Sequence, residues 1–199
     1  MQAAFALLAD HKVTNLVRKI AWQADQRFQT GMKAAWLEPH VSLKQSFEIQ
    51  DFAGLEEYMQ ILAASLPPVV IHITGLQAVP ATIDGQESGI LWFEVEQTNE
   101  LRTLHTRLNR ELEARFGPTP AEHDGPSYHF HMTVALGGQP FEVFKAAAQA
   151  LGTPPIELYF TATVLALFVQ YQPAGRTSRY FTYKRLPLGQ EFEDHPWDP

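Results

Sequence analysis

Apolar and polar positions along the chain follow the periods of strands and helices in turn. Residues 3–8 are apolar throughout, which predicts a buried strand, and apolar residues at helical spacing over residues 13–28 predict the first helix. A second strand is predicted to run to about Phe47. The spacing over residues 55–62 predicts a second helix, which Pro67-Pro68 must end.

The second half of the chain continues this alternation. A stripe of leucines over residues 101–116 predicts the clearest helix, with Asn99 as its N-cap and Gly117 beyond its last turn. Similar spacing predicts a short helix over residues 141–151, and Asp84-Gly85 marks a turn. Further strands are predicted at residues 69–76, 89–95, 156–170 and 180–186, with one more around residue 131.

Two of these strands carry the same pattern of histidine, apolar residue, hydroxyl residue and apolar residue. Because successive side chains on a strand point to opposite faces, each histidine shares a face with its hydroxyl residue, and the apolar residues point into a core. Each motif strand follows a helix and precedes a shorter helix, so the order of elements predicts two lobes whose motif strands face each other. The motifs are His40-Val41-Ser42-Leu43 and His131-Met132-Thr133-Val134.

Such a pair of strands supplies the groups that a phosphodiester reaction needs. Histidine acts as a base when neutral and as an acid when protonated, and both forms exist near neutral pH. We therefore predict that His40 and His131 are the catalytic acid-base pair, although the sequence leaves their individual roles open. Ser42 and Thr133 are predicted to bind the non-bridging phosphate oxygens, where charge develops in the transition state. This chemistry requires no metal or other cofactor.

In this order of elements, the paired motifs resemble the 2H phosphoesterase superfamily, which includes 2'-5' RNA ligase-like proteins and cyclic phosphodiesterases. Residues 39–43 and 129–134 carry the resemblance, and the order of elements extends it from residue 3 to about residue 186. Ser42 is a departure, because threonine is commoner at that motif position. The loop before His131 has no obvious signature.

The resemblance implies an α+β fold of two similar α/β lobes, with antiparallel sheets around a central cleft. We expect one bilobal domain over residues 1–190 and a loose acidic tail over residues 191–199. The implied activity is metal-independent hydrolysis of 2',3'-cyclic phosphates or related RNA and nucleotide phosphodiesters. Ligation to form 2'-5' linkages would be the reverse reaction.

Several other polar and aromatic residues are candidates for the same site. Lys44 continues the face of the first motif by alternation, and Arg176 and Arg179 lie in the turn before the last strand. All three are predicted phosphate ligands, although each is also compatible with a solvated position. His129 and Tyr128 are predicted to lie behind the catalytic groups. For His129 three non-catalytic roles stay open: it would influence the pKa of the second motif histidine, contact phosphate or simply face solvent.

The remaining histidines and tyrosines are weaker candidates. His72-Ile73-Thr74 is a third partial match, but it precedes a turn and another strand, so its chance of lining the site is small. Tyr171 and Tyr180, like the tyrosine before the second motif, would stack on a base or, more simply, pack inside the protein. The isolated histidines are expected at the surface: His11, His105, His123 and His195.

Two other functions remain open at this point. Alternate histidines at positions 129 and 131 can bind zinc or iron if a third ligand comes from Glu122, His123 or Asp124, which predicts a metal-dependent hydrolase. The second alternative is a non-catalytic module of the same fold that binds a nucleotide or an RNA end. Turnover would distinguish the binding module from an enzyme.

Composition restricts the partners. The chain has 22 acidic residues against 15 Lys and Arg, a net charge of −7, which argues against a broad grip on long nucleic acid but permits a small nucleotide or an RNA end. It has no cysteine, which excludes disulfides, thiolate zinc sites and a cysteine nucleophile. The apolar N-terminal run is too short for a membrane span and lacks a basic leader. We therefore expect a cytoplasmic protein without a membrane partner, monomeric by default.

Overall fold

A computed structural model describes residues 1–171 and 179–190. Arg176, the expected tail over residues 191–199 and His195 lie outside the described residues. The four α-helices of the described part are α1 (His11–Phe28), α2 (Phe52–Ser65), α3 (Asn99–Phe116) and α4 (Phe141–Leu151). Its strands are β1 (Gln2–Leu8), β2 (His40–Glu48), β3 (Val69–Ile83), β4 (Gln86–Val95), β5 (His131–Leu136), β6 (Leu158–Ala162), β7 (Val164–Tyr171) and β8 (Arg179–Pro187).

The strands form two four-stranded antiparallel sheets, which confirms the predicted α+β class. The first sheet has the order β2-β1-β7-β8, and the second has the order β5-β4-β3-β6. The two motif strands, β2 and β5, therefore occupy equivalent positions, each at the edge of its sheet. These two edge strands contact each other, so the fold brings the motifs together.

One continuous apolar core joins the two sheets and the helices. The apolar motif residues lie in it as predicted, with Val41, Leu43, Met132 and Val134 all buried. The helices exchange partners between the halves, because α1 packs against β5 and α4, whereas α3 packs against β2. Each motif strand is thus supported by a helix from the other half of the chain.

Polar side chains cap the N-termini of α1 and α3. The Asp10 side chain accepts a hydrogen bond from the Val13 amide at 2.8 Å and begins α1. Thr98, rather than the predicted Asn99, caps α3, because its hydroxyl accepts from the Leu101 amide at 3.2 Å. Among the described residues, no helix has both the length and the apolar character that a membrane crossing requires.

The single strand predicted over residues 156–170 is wrong. The segment forms two strands, β6 and β7, which separate at Thr163 and enter different sheets. The apolar run has no clear break at this point because residues on both sides of Thr163 are buried in the core. The chain uses this short connection to pass from the second sheet, where β6 pairs with β3, to the first sheet, where β7 pairs with β1.

Candidate active site

The two motif histidines are held by the same kind of hydrogen bond. His40 Nδ1 bonds to the carbonyl oxygen of Glu38 at 2.6 Å. His131 Nδ1 bonds to the carbonyl oxygen of His129 at 2.8 Å. Because a carbonyl only accepts, Nδ1 carries the proton in both rings, and Nε2 is the nitrogen left for proton transfer. The two histidines thus have the same tautomer when neutral.

An aromatic ring from another strand fixes each imidazole. The His40 ring meets Phe168 of β7 edge to face, with 4.6 Å between centroids. The His131 ring stacks on Trp92 of β4 at 4.2 Å, with an angle of 27° between the planes. Packing against these rings, together with the Nδ1 hydrogen bonds, restricts both side-chain torsions of each histidine.

Small and apolar side chains lie beside the first motif. Ala6 of β1 lies directly opposite Ser42. Leu8 of the same strand lies directly opposite His40. Cross-strand partners share a face, so these residues lie on the sheet face that carries the first motif. They belong to a buried apolar cluster that is separate from the main core, and we call this cluster the cleft floor. Its members are Ala4, Ala6, Leu8, Ala166 and Phe168.

The motif hydroxyl residues are half-buried beside the histidines. Alternation places Ser42 on the face of His40 and Thr133 on the face of His131, as predicted. Within the described part of the chain, neither hydroxyl bonds to another side chain or to the backbone. Both are therefore available to donate to an oxygen of a ligand.

Burial determines the protonation of both histidines. Loss of solvent lowers the pKa of His40 to about 4, although the Glu38 carbonyl opposes this change, and the nearby charge of His131 lowers it further. Burial likewise lowers the pKa of His131; the hydrogen bond to the His129 carbonyl opposes this, and the Glu94 carboxylate also raises it. The two imidazoles interact electrostatically, and the strands that carry them contact each other.

The second motif has an acidic neighbour that the sequence did not reveal. Glu94 of β4 is paired across the strands with His131, and its carboxylate lies 2.7 Å from His129 Nε2. His129 also stacks over Trp92, with 5.5 Å between ring centroids. His129 thus contacts Glu94 and Trp92, the same two residues that lie beside His131, while its role behind the motif stays a prediction. Trp92 and Glu94 alternate on one face of β4, but only the register of β4 against β5 shows that this face meets the motif.

The predicted contact of Lys44 with phosphate is wrong. The strand β2 has a bulge, because Lys44 lies opposite Phe5 whereas Ser42 lies opposite Ala6, the next residue of β1. Leu43 and Lys44 are consequently both buried, and Lys44 is only 2% exposed. The simple alternation used to place Lys44 beside the first motif fails at this bulge.

Lys44 instead holds the loop that precedes the second motif. Its Nζ lies 2.5 Å from an Asp124 carboxylate oxygen and donates to the Asn109 side chain at 2.7 Å. It also donates to the Thr119 carbonyl at 2.7 Å. All three ammonium protons therefore have acceptors, which is the condition for burying a lysine.

Tyr128 and His105 connect the same loop to the first motif strand. The buried Tyr128 hydroxyl donates to the Ser42 carbonyl at 3.0 Å, and burial raises the pKa of that hydroxyl to about 12. Tyr128 thus packs, as expected, just behind the motif. The surface position predicted for His105 is wrong: it is buried, its ring stacks on Tyr128 at 4.6 Å, and its Nδ1 bonds to the Leu43 carbonyl at 2.7 Å.

The remaining candidates of the last strand lie at the surface of the first sheet. The Arg179 guanidinium lies over the ring of Trp36, 4.5 Å from its centroid. The Tyr180 hydroxyl bonds to the Gln2 side chain at 3.2 Å and to Ser46. Tyr180 thus packs rather than presenting a free ring, while the phosphate contact of Arg179 stays a prediction.

The candidate ligands for a metal are separated. Asp124 is held by Lys44, Glu122 and His123 are exposed, and His129 is paired with Glu94. No three histidines or carboxylates converge on one point within residues 1–171 and 179–190. In the third partial motif, both ring nitrogens of His72 face carboxylates, those of Glu96 and Glu157. The His72 ring also stacks on Tyr159, with 3.9 Å between centroids.

The sequence is similar to a family of nucleic-acid enzymes. A family model described as the 2'-5' RNA ligase superfamily matches residues 12–172. A Staphylococcus aureus (strain JH1) protein, named as a candidate phosphoesterase, is 28% identical over 131 residues, or 65% of this chain and 72% of the relative.

Solved structures share the fold at lower identity. A protein of Thermus thermophilus has a TM-score of 0.61 at 15% identity, over 96% of this chain and 100% of that one. LigT of E. coli, in a complex with 3'-AMP, has a TM-score of 0.51 at 19% identity, over 95% and 98%. Usb1 of Kluyveromyces marxianus, with uridine monophosphate, has a TM-score of 0.51 at 16% identity, over 94% and 98%.

The family match covers most of the chain, including both motif strands. The solved structures extend the likeness to the two antiparallel sheets and the helices. The chain therefore belongs to the 2'-5' RNA ligase superfamily, whose members are 2H phosphoesterases.

Proposed function

We propose that the protein hydrolyses 2',3'-cyclic phosphates or related nucleotide phosphodiesters without a metal. The observation that carries the proposal is the matched setting of the two histidines. Each lies at the start of an edge strand, donates from Nδ1 to a backbone carbonyl and leaves Nε2 for the cleft. A hydroxyl residue follows two positions later on the same face of each strand.

In the proposed reaction, His40 Nε2 accepts a proton from water as the water oxygen forms a bond to phosphorus. The bond from phosphorus to one ribose oxygen breaks, and the protonated His131 donates its Nε2 proton to that oxygen. Ser42 and Thr133 donate hydrogen bonds to the non-bridging oxygens as their charge increases. Each acid-base group contributes about 10²- to 10⁴-fold to the rate.

The surroundings of the two histidines support this division of roles. Burial brings the pKa of His40 to about 4, so this ring is neutral at physiological pH and suited to act as the base. The pKa of His131 is also lowered, mainly by burial and further by the charges of His129 and His123. The hydrogen bond to the His129 carbonyl and the Glu94 carboxylate oppose this shift, so we assign the acid to this ring. If a ribose 5' hydroxyl replaces water, His40 accepts the proton of that hydroxyl and the bond from phosphorus to the 3' oxygen breaks. His131 protonates the 3' oxygen, which forms a 2'-5' linkage; hydrolysis dominates in water.

Small nucleotides or RNA ends are the proposed substrates. The solved relatives LigT and Usb1 are complexes with 3'-AMP and uridine monophosphate. The net charge of −7 disfavours contacts along an extended nucleic-acid backbone, whereas one phosphate needs only the local groups of the cleft.

The test is hydrolysis of 2',3'-cyclic nucleotides in EDTA by the wild-type protein and by H40A and H131A. We expect EDTA-resistant turnover, reduced about 100-fold or more in each variant because one proton transfer is lost. H11A is the matched control, since His11 is exposed on α1, and it should retain full activity. Full activity in both folded motif variants would refute the mechanism. Activity only without EDTA would indicate the metal-dependent alternative, and binding without turnover would indicate the binding module.

A further inference from the structure

Trp36 is a large aromatic side chain that the fold leaves open to solvent. It is 60% exposed, although it lies only four residues before His40. The Arg179 guanidinium lies against the ring, 4.5 Å from its centroid. A guanidinium that lies over an indole holds the ring in place, and more than half of the Trp36 side chain still faces solvent.

The neighbours of Trp36 connect it to both motif strands. Trp36 ends a short 3-10 helix, Lys33–Trp36, which packs against the second motif strand, β5. The next residue, Leu37, packs on the cleft floor beside the first motif. The chain then reaches His40 through Pro39. Trp36 is therefore anchored on one side to the strand of His131 and on the other to the surface that carries His40.

We infer that Trp36 is the stacking platform for the base of the bound nucleotide. This inference rests on the proposed function, since it concerns a substrate whose phosphodiester lies between the two histidines. An exposed indole beside a phosphate site can stack on any base, because every base has a π face. The subsite therefore recognises the presence of a base rather than its identity, and the Arg179 charge adds favourable electrostatics for an anionic ligand.

Other exposed aromatic residues do not have this setting. Tyr159 is 65% exposed and stacks on His72, but the carboxylates of Glu96 and Glu157 lie beside that pair and repel a phosphate. Trp22 is 56% exposed on α1, outside the cleft floor and both motif strands. Trp22 is thus a matched control for the loss of an exposed indole.

The experiment compares two substrates in W36A, W36F and W22A. The substrates are adenosine 2',3'-cyclic phosphate and a ribose 2',3'-cyclic phosphate that lacks a base. For the nucleotide, W36A should lower kcat/KM about tenfold or more, mainly through KM, as expected for the loss of one base-stacking contact. W36F should retain most of the activity, and W22A all of it. For the base-free substrate, all three variants should match the wild-type protein.

Binding of 3'-AMP and of inorganic phosphate to the same proteins separates this inference from the proposed function. If the wild-type protein hydrolyses neither cyclic phosphate, the proposed function fails, but a tenfold weaker binding of 3'-AMP in W36A, with unchanged binding of phosphate, still supports the platform. Equal effects of W36A and W22A would overturn it. Equal losses for the nucleotide and the base-free substrate, or for 3'-AMP and phosphate, would also overturn it.

Discussion

At the scale of residues, the proposed mechanism depends on how two histidines are held. Both donate from Nδ1 to the carbonyl two residues earlier and lie against an aromatic ring, His40 on Phe168 and His131 on Trp92. The same surroundings that orient the rings also desolvate them. Their protonation should therefore affect the stability of the fold as well as the reaction.

The pKa of His40 predicts how stability changes with pH. Its pKa is about 4 in the folded protein and about 6.5 when unfolded, so between these values the unfolded chain binds more protons. The free energy of unfolding should then rise with pH across this window, with a contribution from His40 of about 3 kcal/mol at most. Chemical denaturation of the wild-type protein and H40Q between pH 4 and 7 measures this contribution.

H11Q is the control for that comparison, because His11 is exposed at the start of α1. The rise in stability should be smaller in H40Q and unchanged in H11Q. If H40Q and the wild-type protein have the same pH dependence, His40 is not buried in its neutral form and its assignment as the base loses its support.

The residue types of the site could be predicted from the sequence, but their supports could not. The motifs identified His40, Ser42, His131 and Thr133 because alternation fixes which side chains share a face. Glu94 and Trp92 lie on the strand next to the second motif, and Phe168 lies two strands away from the first motif in the same sheet. Such contacts depend on the register between strands that are distant in sequence, which periodicity alone does not specify.

At the scale of elements, irregularities of the strands account for the wrong predictions. The bulge in β2 turns Lys44 into the core, and the separation of β6 from β7 at Thr163 divides one apolar run between two sheets. Neither feature changes the hydrophobic pattern enough to be seen in the sequence. The helices were predicted closely because their apolar spacing and end residues are local signals.

The bulge also predicts what Lys44 does for the protein. K44M leaves the Asp124 carboxylate without its cation, so we expect the free energy of unfolding to fall by about 3–5 kcal/mol. The double variant K44M/D124L removes both charges and should recover part of that loss. Urea denaturation measures both effects.

The matched control for K44M is K33M, which removes the exposed pair between Lys33 and Asp84 at 2.8 Å. Exposed pairs contribute about 0–1 kcal/mol, so K33M should be almost as stable as the wild-type protein. A K44M variant with unchanged stability and a raised KM would restore the phosphate contact that the structure excludes.

At the scale of the whole molecule, each half of the chain supplies half of the site. The first sheet carries His40 and Ser42, and the second carries His131 and Thr133. Helix α1 packs against β5 and helix α3 packs against β2, so each motif strand is supported by a helix from the other half of the chain. The hydrogen bond from Tyr128 to the Ser42 carbonyl links the two halves directly. The duplicated order of elements in the sequence predicted this arrangement, whereas the exchanged helices could not be inferred from it.

In the proposed mechanism the two halves of the chain contribute different proton-transfer groups, so the decisive measurement is the pH dependence of kcat/KM. With His40 as base and His131 as acid, the wild-type profile should be bell-shaped, with its maximum between about pH 4 and 6.5 because burial lowers both pKa values. The residual activity of H40A should lose the fall at low pH, and that of H131A should lose the fall at high pH. A wild-type rate that rises steadily from pH 5 to 9, or variants that keep both limbs, would contradict the account.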